Sequence, residues 1–224
     1  MNTPPPHLPS RGFQGLLPPD QWDELLRAGV SSPLRGGNLL LSQGFQTGVV
    51  YALRSGRVRV VHTEPGGKEA LIAVRGPGDL LGEYAYQDHG EHMASVWALE
   101  PCEVTALSSA RFEDFIRRHR CEELLQRYIL GKIRQGGQRI WRAANLQTEQ
   151  RVALLFLEVI GAARVGADPT IPMTQGQVAD SLGVALSSVT LVLGQWRRHG
   201  LIRTLPAPLR VLDMAALARH ANPR

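Results

Sequence analysis

Eighteen consecutive residues, 175–192, restrict the fold of this chain more than any other feature. Counted from Gln175, the fifth position is a small residue, Ala179, and the ninth is Gly183. Two short helices that cross at about 90–120° need a small residue where they touch and a glycine in the turn between them. Their shared face must also be apolar, and positions 4, 8, 10, 15 and 18 are Val178, Leu182, Val184, Val189 and Val192. The spacing predicts a DNA-binding helix–turn–helix, with an ordinary helical hairpin as the alternative.

The second helix of this unit, predicted over 185–199, is the one that enters the major groove in such modules. Its outward face lacks the Arg, Asn, Gln and Glu side chains that form paired hydrogen bonds with bases. Leucine and threonine methyl groups can instead contact thymine methyl groups, and serine can bond several base edges. The residues expected to face bases are Leu186, Ser187, Thr190 and Leu191, and Ser188 is a further expected DNA contact on the same helix.

Phosphate contacts are expected on either side of that helix. Residues that open the first helix can hold phosphates through amide and hydroxyl groups, and arginines can add electrostatic contacts. Residues 147–224 carry 8 Arg against 5 acidic residues, whereas 1–146 carry 17 basic against 15 acidic residues, so the positive excess is concentrated near this unit. The expected phosphate contacts are Thr174, Gln175, Arg197, Arg198 and Arg203.

The rest of the chain divides into an N-terminal strand-rich part and a helical part. Residues 1–19 are rich in proline and are predicted to form a loose arm, and 20–30 a short helix capped by Asp20. Short strand patterns separated by glycine turns fill 38–109 and predict a barrel or jelly roll. Helices follow over 109–118, 122–147 and 150–163, and the helix–turn–helix is followed by a hairpin around 206–208, which is a predicted wing, and by a last helix over 214–220. This order predicts an α+β chain with domains 20–120, 121–147 and 148–224.

The long helix carries an apolar seam. Its members follow at alternating four- and three-residue steps, which is the pattern of a helix that pairs with a second helix. Packing of this helix on its own domain is the alternative interpretation. The predicted dimer contacts are Ile129, Ile133, Gly136, Ile140 and Ala143.

Composition excludes several classes of protein. The two cysteines, Cys102 and Cys121, cannot build a disulfide framework or a cysteine-rich metal site, so we expect no metal. No secretory signal and no apolar run of membrane-spanning length is recognisable, so we expect a cytoplasmic chain without a membrane partner. The barrel segment has no clustered metal ligands and no nucleophile motif, so we expect no enzyme and no catalytic residue.

Within the barrel, residues 78–83 read Gly-Asp-Leu-Leu-Gly-Glu, and His92-Met93-Ala94 follows nine residues later. A glycine-containing loop with a nearby cation can cradle a phosphate, and a glutamate can accept from a sugar hydroxyl. The alternative is an ordinary Gly-Asp turn between strands.

In the order of its parts and in these motifs, the chain resembles the cyclic-AMP receptor protein and fumarate-nitrate regulator family of bacterial transcription factors over about residues 35–220. The resemblance implies a jelly roll like a cyclic-nucleotide-binding domain, a homodimer joined by the long helix, a winged helix-turn-helix bound to two-fold symmetric double-stranded DNA, and RNA polymerase as a further partner.

The resemblance also marks departures in the effector pocket. Gly82 and Glu83 match the ribose-binding pair of the family, but His92-Met93 stands where its cyclic-nucleotide sensors carry Arg-Ser, and Gly136-Gly137 where they carry Thr-Ser. Of the four nucleotide contacts of the family, the chain keeps the Gly-Glu pair and lacks the arginine, the serine beside it and the Thr-Ser pair. Histidine lacks the fixed two-pronged guanidinium of arginine, and glycine has no side chain. We therefore expect a regulator that cyclic AMP does not activate in the usual way. A cyclic-nucleotide-responsive regulator is the alternative.

The predicted recognition helix also departs from the pattern of the family. Where the family carries Arg-Glu-Thr-Val-x-Arg, this chain reads Leu186-Ser187-Ser188-Val189-Thr190-Leu191, so the target sequence is not inherited. An alternative of another class is therefore a protein-interaction scaffold with weak or lost DNA binding. The iron–sulfur sensing of the fumarate-nitrate type is excluded, because the chain has no N-terminal cysteine cluster.

Overall fold

The computed structural model describes residues 12–222. The N-terminal part contains two antiparallel four-stranded sheets with the strand orders β1-β8-β3-β6 and β2-β7-β4-β5. Apolar side chains from both sheets fill the space between them, which is the arrangement of a jelly roll and confirms the predicted fold class. The strands are β1 Val30–Leu34, β2 Leu39–Leu41, β3 Val49–Ser55, β4 Val58–Thr63, β5 Glu69–Arg75, β6 Leu80–Leu81, β7 Ser95–Ala98 and β8 Cys102–Ser108.

The hairpin predicted at Ser55-Gly56 joins β3 to β4, and Gly56 adopts a φ of +78°. A Cβ atom at this position would lie 2.5 Å from the Sγ atom of Cys102 and 2.5 Å from the carbonyl oxygen of Pro101. Glycine is therefore required here by both the backbone conformation and the close approach of β8.

The prediction of a loose arm is wrong for residues 12–19. Phe13 is fully buried, and its ring meets the ring of Tyr128 edge-on with 5.5 Å between centroids. Helix α1, Pro19–Ala28, begins after Pro18, so Asp20 lies in its first turn and is not its N-cap. Burial of the Phe13 ring in a matching cavity stabilises this segment more than the surrounding prolines favour an extended chain. Residues 1–11 of the predicted arm lie outside the described residues.

Three helices complete this part: α2 Glu83–Asp88, α3 Ser109–His119 and α4 Glu122–Asn145. Sequence reasoning missed α2, which interrupts the strand pattern for only six residues and begins after Gly82 in the left-handed conformation. Helix α4 ends two residues before its predicted limit and places Leu125, Tyr128 and Lys132 against the barrel.

The C-terminal part is a winged helix unit. The apolar residues at the predicted helix–turn–helix positions are buried in one core, with Val184 packed at its edge. The predicted hairpin forms, and a third strand that sequence reasoning missed extends its sheet to the order β10-β11-β9. The elements are α5 Thr148–Gly161, β9 Thr170–Ile171, α6 Gln175–Leu182, α7 Leu186–Arg198, β10 Ile202–Arg203, β11 Leu209–Val211 and α8 Met214–Ala221.

The C-terminal unit packs directly on the barrel. Val61 and Leu71 of the barrel belong to the same buried cluster as the helix–turn–helix core. The buried Arg57 pairs with Glu100 and donates to the carbonyl oxygens of Val159, at 3.1 Å, and Thr170, at 2.8 Å. These contacts hold the two parts in one orientation.

Candidate DNA-binding surface and effector pocket

The helix–turn–helix has the geometry that its sequence spacing predicts. Helices α6 and α7 are bent by 120° relative to one another, and Gly183 between them has a φ of +61°. The Thr174 hydroxyl accepts from the Gln177 amide at 3.1 Å, and the Gln177 side chain accepts from the Thr174 amide at 2.9 Å. This capping box fixes the start of α6 and leaves the hydroxyl hydrogen of Thr174 available to a phosphate.

The predicted base contacts are mostly exposed on α7. Leu186 is 52% exposed and Leu191 62% exposed, and Ser187 is also exposed. The Thr190 hydroxyl donates to the Gln175 side chain at 3.0 Å, so two predicted contacts from different helices lie side by side. Ser188, the further predicted DNA contact, is half-buried, because it adjoins the inward-facing Val189.

The predicted phosphate contacts lie on exposed positions. Arg197 and Arg198 form the last turn of α7, and Arg203 lies on strand β10 of the wing. Within residues 12–222, none of the three pairs with a carboxylate, so their charges are free to meet a polyanion. Ala185 offers no side-chain cap to α7, as its sequence predicts.

In the described chain, no single helix is long and apolar enough to cross a membrane, and the bent pair α6–α7 meets that test by length and composition only.

The predicted effector pocket contains a buried ion pair. Glu83 is 4% exposed, and its Oε1 atom lies 2.7 Å from the Nζ atom of Lys132 on α4. The same ammonium group donates to the carbonyl oxygen of Leu80 at 2.8 Å and lies 4.5 Å from the ring centroid of Tyr128. Sequence reasoning missed Lys132, although it lies on the seam-bearing helix one position before Ile133 and is one of only two lysines in the chain.

Further hydrogen bonds surround this ion pair. The Tyr128 hydroxyl donates to Oδ1 of Asp79 at 2.7 Å and accepts from the Leu80 amide at 3.0 Å. Burial raises the pKa of Tyr128 well above its usual range, so the hydroxyl keeps its proton. Burial also lowers the pKa of Lys132, and the Glu83 carboxylate opposes that shift by favouring the charged ammonium.

His92 is buried in the wall of this pocket and contacts a neighbouring hydroxyl. Its Nε2 atom lies 2.9 Å from the Thr47 hydroxyl, and the residue is 6% exposed. Burial lowers the pKa of His92 below its ordinary value of 6.5, so the ring is uncharged at neutral pH. Met93 is 53% exposed and lies at the rim.

The space left in the pocket is small. The cavity that Gly82, Glu83, His92 and Met93 line has a volume of about 80 Å³. Gly136 and Gly137 do not line it, contrary to their predicted place in the pocket, because Lys132 from the preceding turn of α4 occupies that side. The two glycines line a larger apolar groove of about 750 Å³ along α4, together with Ile133.

The predicted dimer seam is only partly free. Ile133 is 57% exposed and Ile140 74% exposed, and Ala143 is exposed as well. Ile129 packs against the cluster formed by α1, α3 and the barrel, since α4 presents that turn to its own domain. Leu130 and Trp141, which the seam pattern omits, are 52% and 55% exposed.

A jelly roll joined by a long helix to a winged helix–turn–helix defines a class of DNA-binding transcription regulators. Residues 32–119 match the cyclic nucleotide-binding domain family, and residues 150–220 match the Crp-like helix-turn-helix domain family. The chain is 30% identical to the cyclic AMP receptor protein of Thermus thermophilus over 83% of its own length and 85% of that protein. It belongs to the cyclic-AMP receptor protein and fumarate-nitrate regulator family of transcription regulators.

Other relatives agree with this assignment. The transcriptional activator protein FnrA of Stutzerimonas stutzeri is 24% identical over 91% of this chain and 84% of that protein. A solved CRP-family transcriptional regulator from Thermus thermophilus superposes with a TM-score of 0.68 at 26% identity, covering 85% of this chain and 96% of that one. FixK2 from Bradyrhizobium japonicum shares the fold, with a TM-score of 0.75 at 19% identity, covering 88% of this chain and 98% of that one.

Proposed function

We propose that this chain acts as a homodimer that binds double-stranded DNA through α7 and the wing, and that cyclic AMP does not activate it. The observation that supports the cyclic-AMP part of the proposal is the ion pair between Glu83 and Lys132, because Glu83 matches the ribose-binding glutamate of the family. In this proposal the dimer works in the cytoplasm, contacts RNA polymerase and has no catalytic role, in keeping with the relatives, which are transcription regulators.

Three features oppose cyclic-nucleotide binding. The Lys132 ammonium occupies Oε1 of Glu83, so a ribose could bond only the second carboxylate oxygen unless it displaced that ammonium, which would leave a buried cation without its partner. The uncharged His92 ring cannot supply the charge-assisted phosphate contact of arginine, a loss of about 1.5–3 kcal/mol or a factor of about 10–100 in affinity. The cavity beside Glu83 and His92 is also small, about 80 Å³, although it shares Tyr84, Met93 and Lys132 with the neighbouring groove of about 750 Å³.

Calorimetry with cyclic AMP tests this part of the proposal. The wild-type protein is expected to give no saturable binding at about pH 7.5, a value at which His92 is uncharged. The double variant His92→Arg/Met93→Ser is expected to bind weakly, and the triple variant that adds Lys132→Ala more tightly, because the carboxylate is then released. A micromolar dissociation constant for the wild-type protein would support the cyclic-nucleotide-responsive alternative instead.

The proposed DNA surface predicts that contacts with phosphates supply most of the affinity for DNA. No arginine stands at the tip of α7 to pair with guanine, a contact that supplies about 1–3 kcal/mol of discrimination. The exposed Leu186 and Leu191 are suited to thymine methyl groups, so T-containing half-sites are expected, spaced by about one helical turn of DNA. Base preference should therefore be modest.

Selection from random duplexes at about 50 mM salt tests DNA binding directly. Leu191→Ala is expected to change which sequences are enriched. Leu212→Ala, at an equally exposed leucine after the wing, serves as the matched control and should leave the enriched sequences unchanged. Failure of the purified dimer to enrich any duplex would overturn the proposal and favour the scaffold alternative, which the apolar surface of α7 also suits.

The homodimer is proposed on the exposed face of α4. A helix face that carries Ile133, Ile140 and Trp141 in contact with water is unfavourable in a monomer, and the spacing of the isoleucines suits a second copy of the same helix. The two-fold symmetry of such a pair would present two copies of α7 to DNA.

A further inference from the structure

A second cleft lies on the side of α4 turned away from Ile133 and Ile140. Its volume is about 440 Å³, and its walls come from three parts of the chain: the end of β5 and the turn after it, the outer side of α4, and α5. It differs from the pocket at Glu83, which lies on the other side of Arg75. The polar residues that line it include Arg75, Arg134, Gln135, Gln138, Arg139 and Arg142.

The carboxylates that line this cleft are already occupied. Both oxygens of Asp79 accept hydrogen bonds, one from the Tyr128 hydroxyl at 2.7 Å and the other from the Gly76 amide at 3.0 Å. Glu158 pairs with Arg139 and also accepts from the Val74 amide at 3.0 Å. These neutral donors leave the charge of Asp79 in place, so the cleft carries two carboxylates against the four guanidinium groups of Arg75, Arg134, Arg139 and Arg142 and keeps an excess of positive charge.

Three arginines of the cleft form no direct ion pair. Within residues 12–222, Arg75, Arg134 and Arg142 have no carboxylate oxygen within 4 Å. Arg75 is only 8% exposed, and its one side-chain hydrogen bond runs from Nη1 to the Gln135 side chain at 2.7 Å. A guanidinium offers five N–H donors and the Gln135 side chain takes one, so other donors remain for an anion. Burial opposes the charge of Arg75, but the carboxylates of Asp79 and Glu158 favour it and raise its pKa, so the group is a cation.

The arrangement of these groups identifies the chemistry of a ligand. Arg134, Gln138 and Arg142 follow at four-residue steps and so line one side of α4, with the two guanidinium groups about two turns apart. Guanidinium groups bind phosphate through paired, charge-assisted hydrogen bonds. Leu154 and Leu157 of α5 add an apolar wall, and the volume falls within the roughly 300–1,000 Å³ of small-molecule sites.

We infer that this cleft binds a phosphate-bearing small molecule of about the size of a nucleotide. The phosphates lie against Arg75, Arg134 and Arg142, and the apolar portion lies against α5. Because α5 belongs to the DNA-binding unit and the other walls belong to the barrel and α4, the bound anion strengthens the docking of the two parts.

Titration calorimetry with ADP and with pyrophosphate, in the absence of DNA, tests this inference. The wild-type protein is expected to bind ADP with a dissociation constant below about 1 mM, and the double variant Arg134→Gln/Arg142→Gln at least about tenfold more weakly. Both arginines lie toward solvent, so the variant keeps its fold. Arg127→Gln, on the exposed side of the same helix and outside the cleft, is the matched control and should bind ADP like the wild type.

Hydrogen exchange provides the second measurement. ADP is expected to slow exchange in peptides that cover 74–79 and 154–162, the walls of the cleft, and adenosine is not. The inference is overturned if neither probe binds at about 10 mM, if adenosine binds as well as ADP, or if Arg127→Gln weakens ADP binding as much as the cleft variant does. Loss of ADP binding in an Arg197→Gln/Arg198→Gln variant would assign the probe to the DNA surface and overturn it as well.

Discussion

Replacement of Lys132 by methionine tests whether the ion pair in the effector pocket holds α4 to the barrel. The Lys132 and Glu83 side chains are both 5% exposed, and their charged atoms lie 2.7 Å apart. Methionine keeps most of the length and apolar volume of lysine but removes the ammonium group, so the packing against Tyr128 is retained. The Glu83 carboxylate and the Leu80 carbonyl oxygen then lose a buried donor.

The size of the effect follows from this burial. An exposed ion pair contributes about 0–1 kcal/mol, whereas removing one partner of a buried pair costs about 3–5 kcal/mol, because a charge is left without compensation. We expect Lys132→Met to lower the free energy of unfolding by about 3–5 kcal/mol at neutral pH. The double variant Glu83→Met/Lys132→Met should recover most of this loss, since no charge is left unpaired.

Urea unfolding followed by circular dichroism measures these differences, with all variants at one protein concentration, because dissociation of a dimer would add a concentration dependence. Lys68→Met is the matched control: Lys68 is the only other lysine of the chain and is exposed. It should leave the free energy of unfolding within about 0.5 kcal/mol of wild type. A loss below about 1 kcal/mol in Lys132→Met, or no recovery in the double variant, would refute the reasoning.

Four further predictions address other parts of the molecule. Ile140→Glu should convert the dimer into a monomer, because two unpaired carboxylates would meet at the two-fold interface at a cost of several kcal/mol; size-exclusion chromatography with light scattering measures this, and a monomeric wild type at micromolar concentration would contradict the predicted interface. Gly76→Ala should loosen the docking of the DNA-binding unit, because the added Cβ would overlap the carbonyl oxygen of Ala162 at the end of α5; limited proteolysis should cut the loop over 162–168 faster than in wild type, and an unchanged rate would disprove the contact. Since the pKa of His92 is lowered on folding, the unfolded chain binds this proton more readily, and stability should fall as the pH drops below about 6.5; His92→Gln should lose less in Tm between about pH 7.5 and pH 5.5 than wild type, and equal losses would argue against this assignment. Arg197→Ala should weaken binding to all duplexes alike and reduce the salt dependence by about one unit of slope; a change confined to some sequences would instead make it a base contact.

The parts of the structure that the sequence predicts best are those built from local patterns. Successive apolar and small residues of 175–192 are only one to five positions apart, so their spacing alone predicts the crossing that Gly183 permits. The hairpin at Ser55-Gly56 and the wing are similarly local. Helix α2 and the strand Thr170–Ile171 escaped prediction because elements of six and two residues carry too little periodicity to distinguish them from turns.

The effector pocket shows the opposite case. From the sequence alone, Gly82, Glu83 and His92 could be predicted to lie in one pocket, and the departure from the arginine of the family's cyclic-nucleotide sensors could be named. The position of Lys132 in the pocket could not be predicted, because Lys132 and Glu83 are 49 residues apart and their contact depends on which side of α4 faces the barrel. The apolar seam of α4 indicates which side of the helix faces a second helix, and it does not indicate what the opposite side contacts.

The sequence by itself therefore determined the order of the parts, the helix–turn–helix and the apolar face of α4, since each follows from the identity of residues only a few positions apart. Only the tertiary structure decided that Phe13 belongs to the core, that Ile129 faces its own domain, and that Lys132 fills the pocket. Each of these depends on packing between distant segments, where the burial of one side chain is settled by the shape and charge of the partners that the fold brings to it.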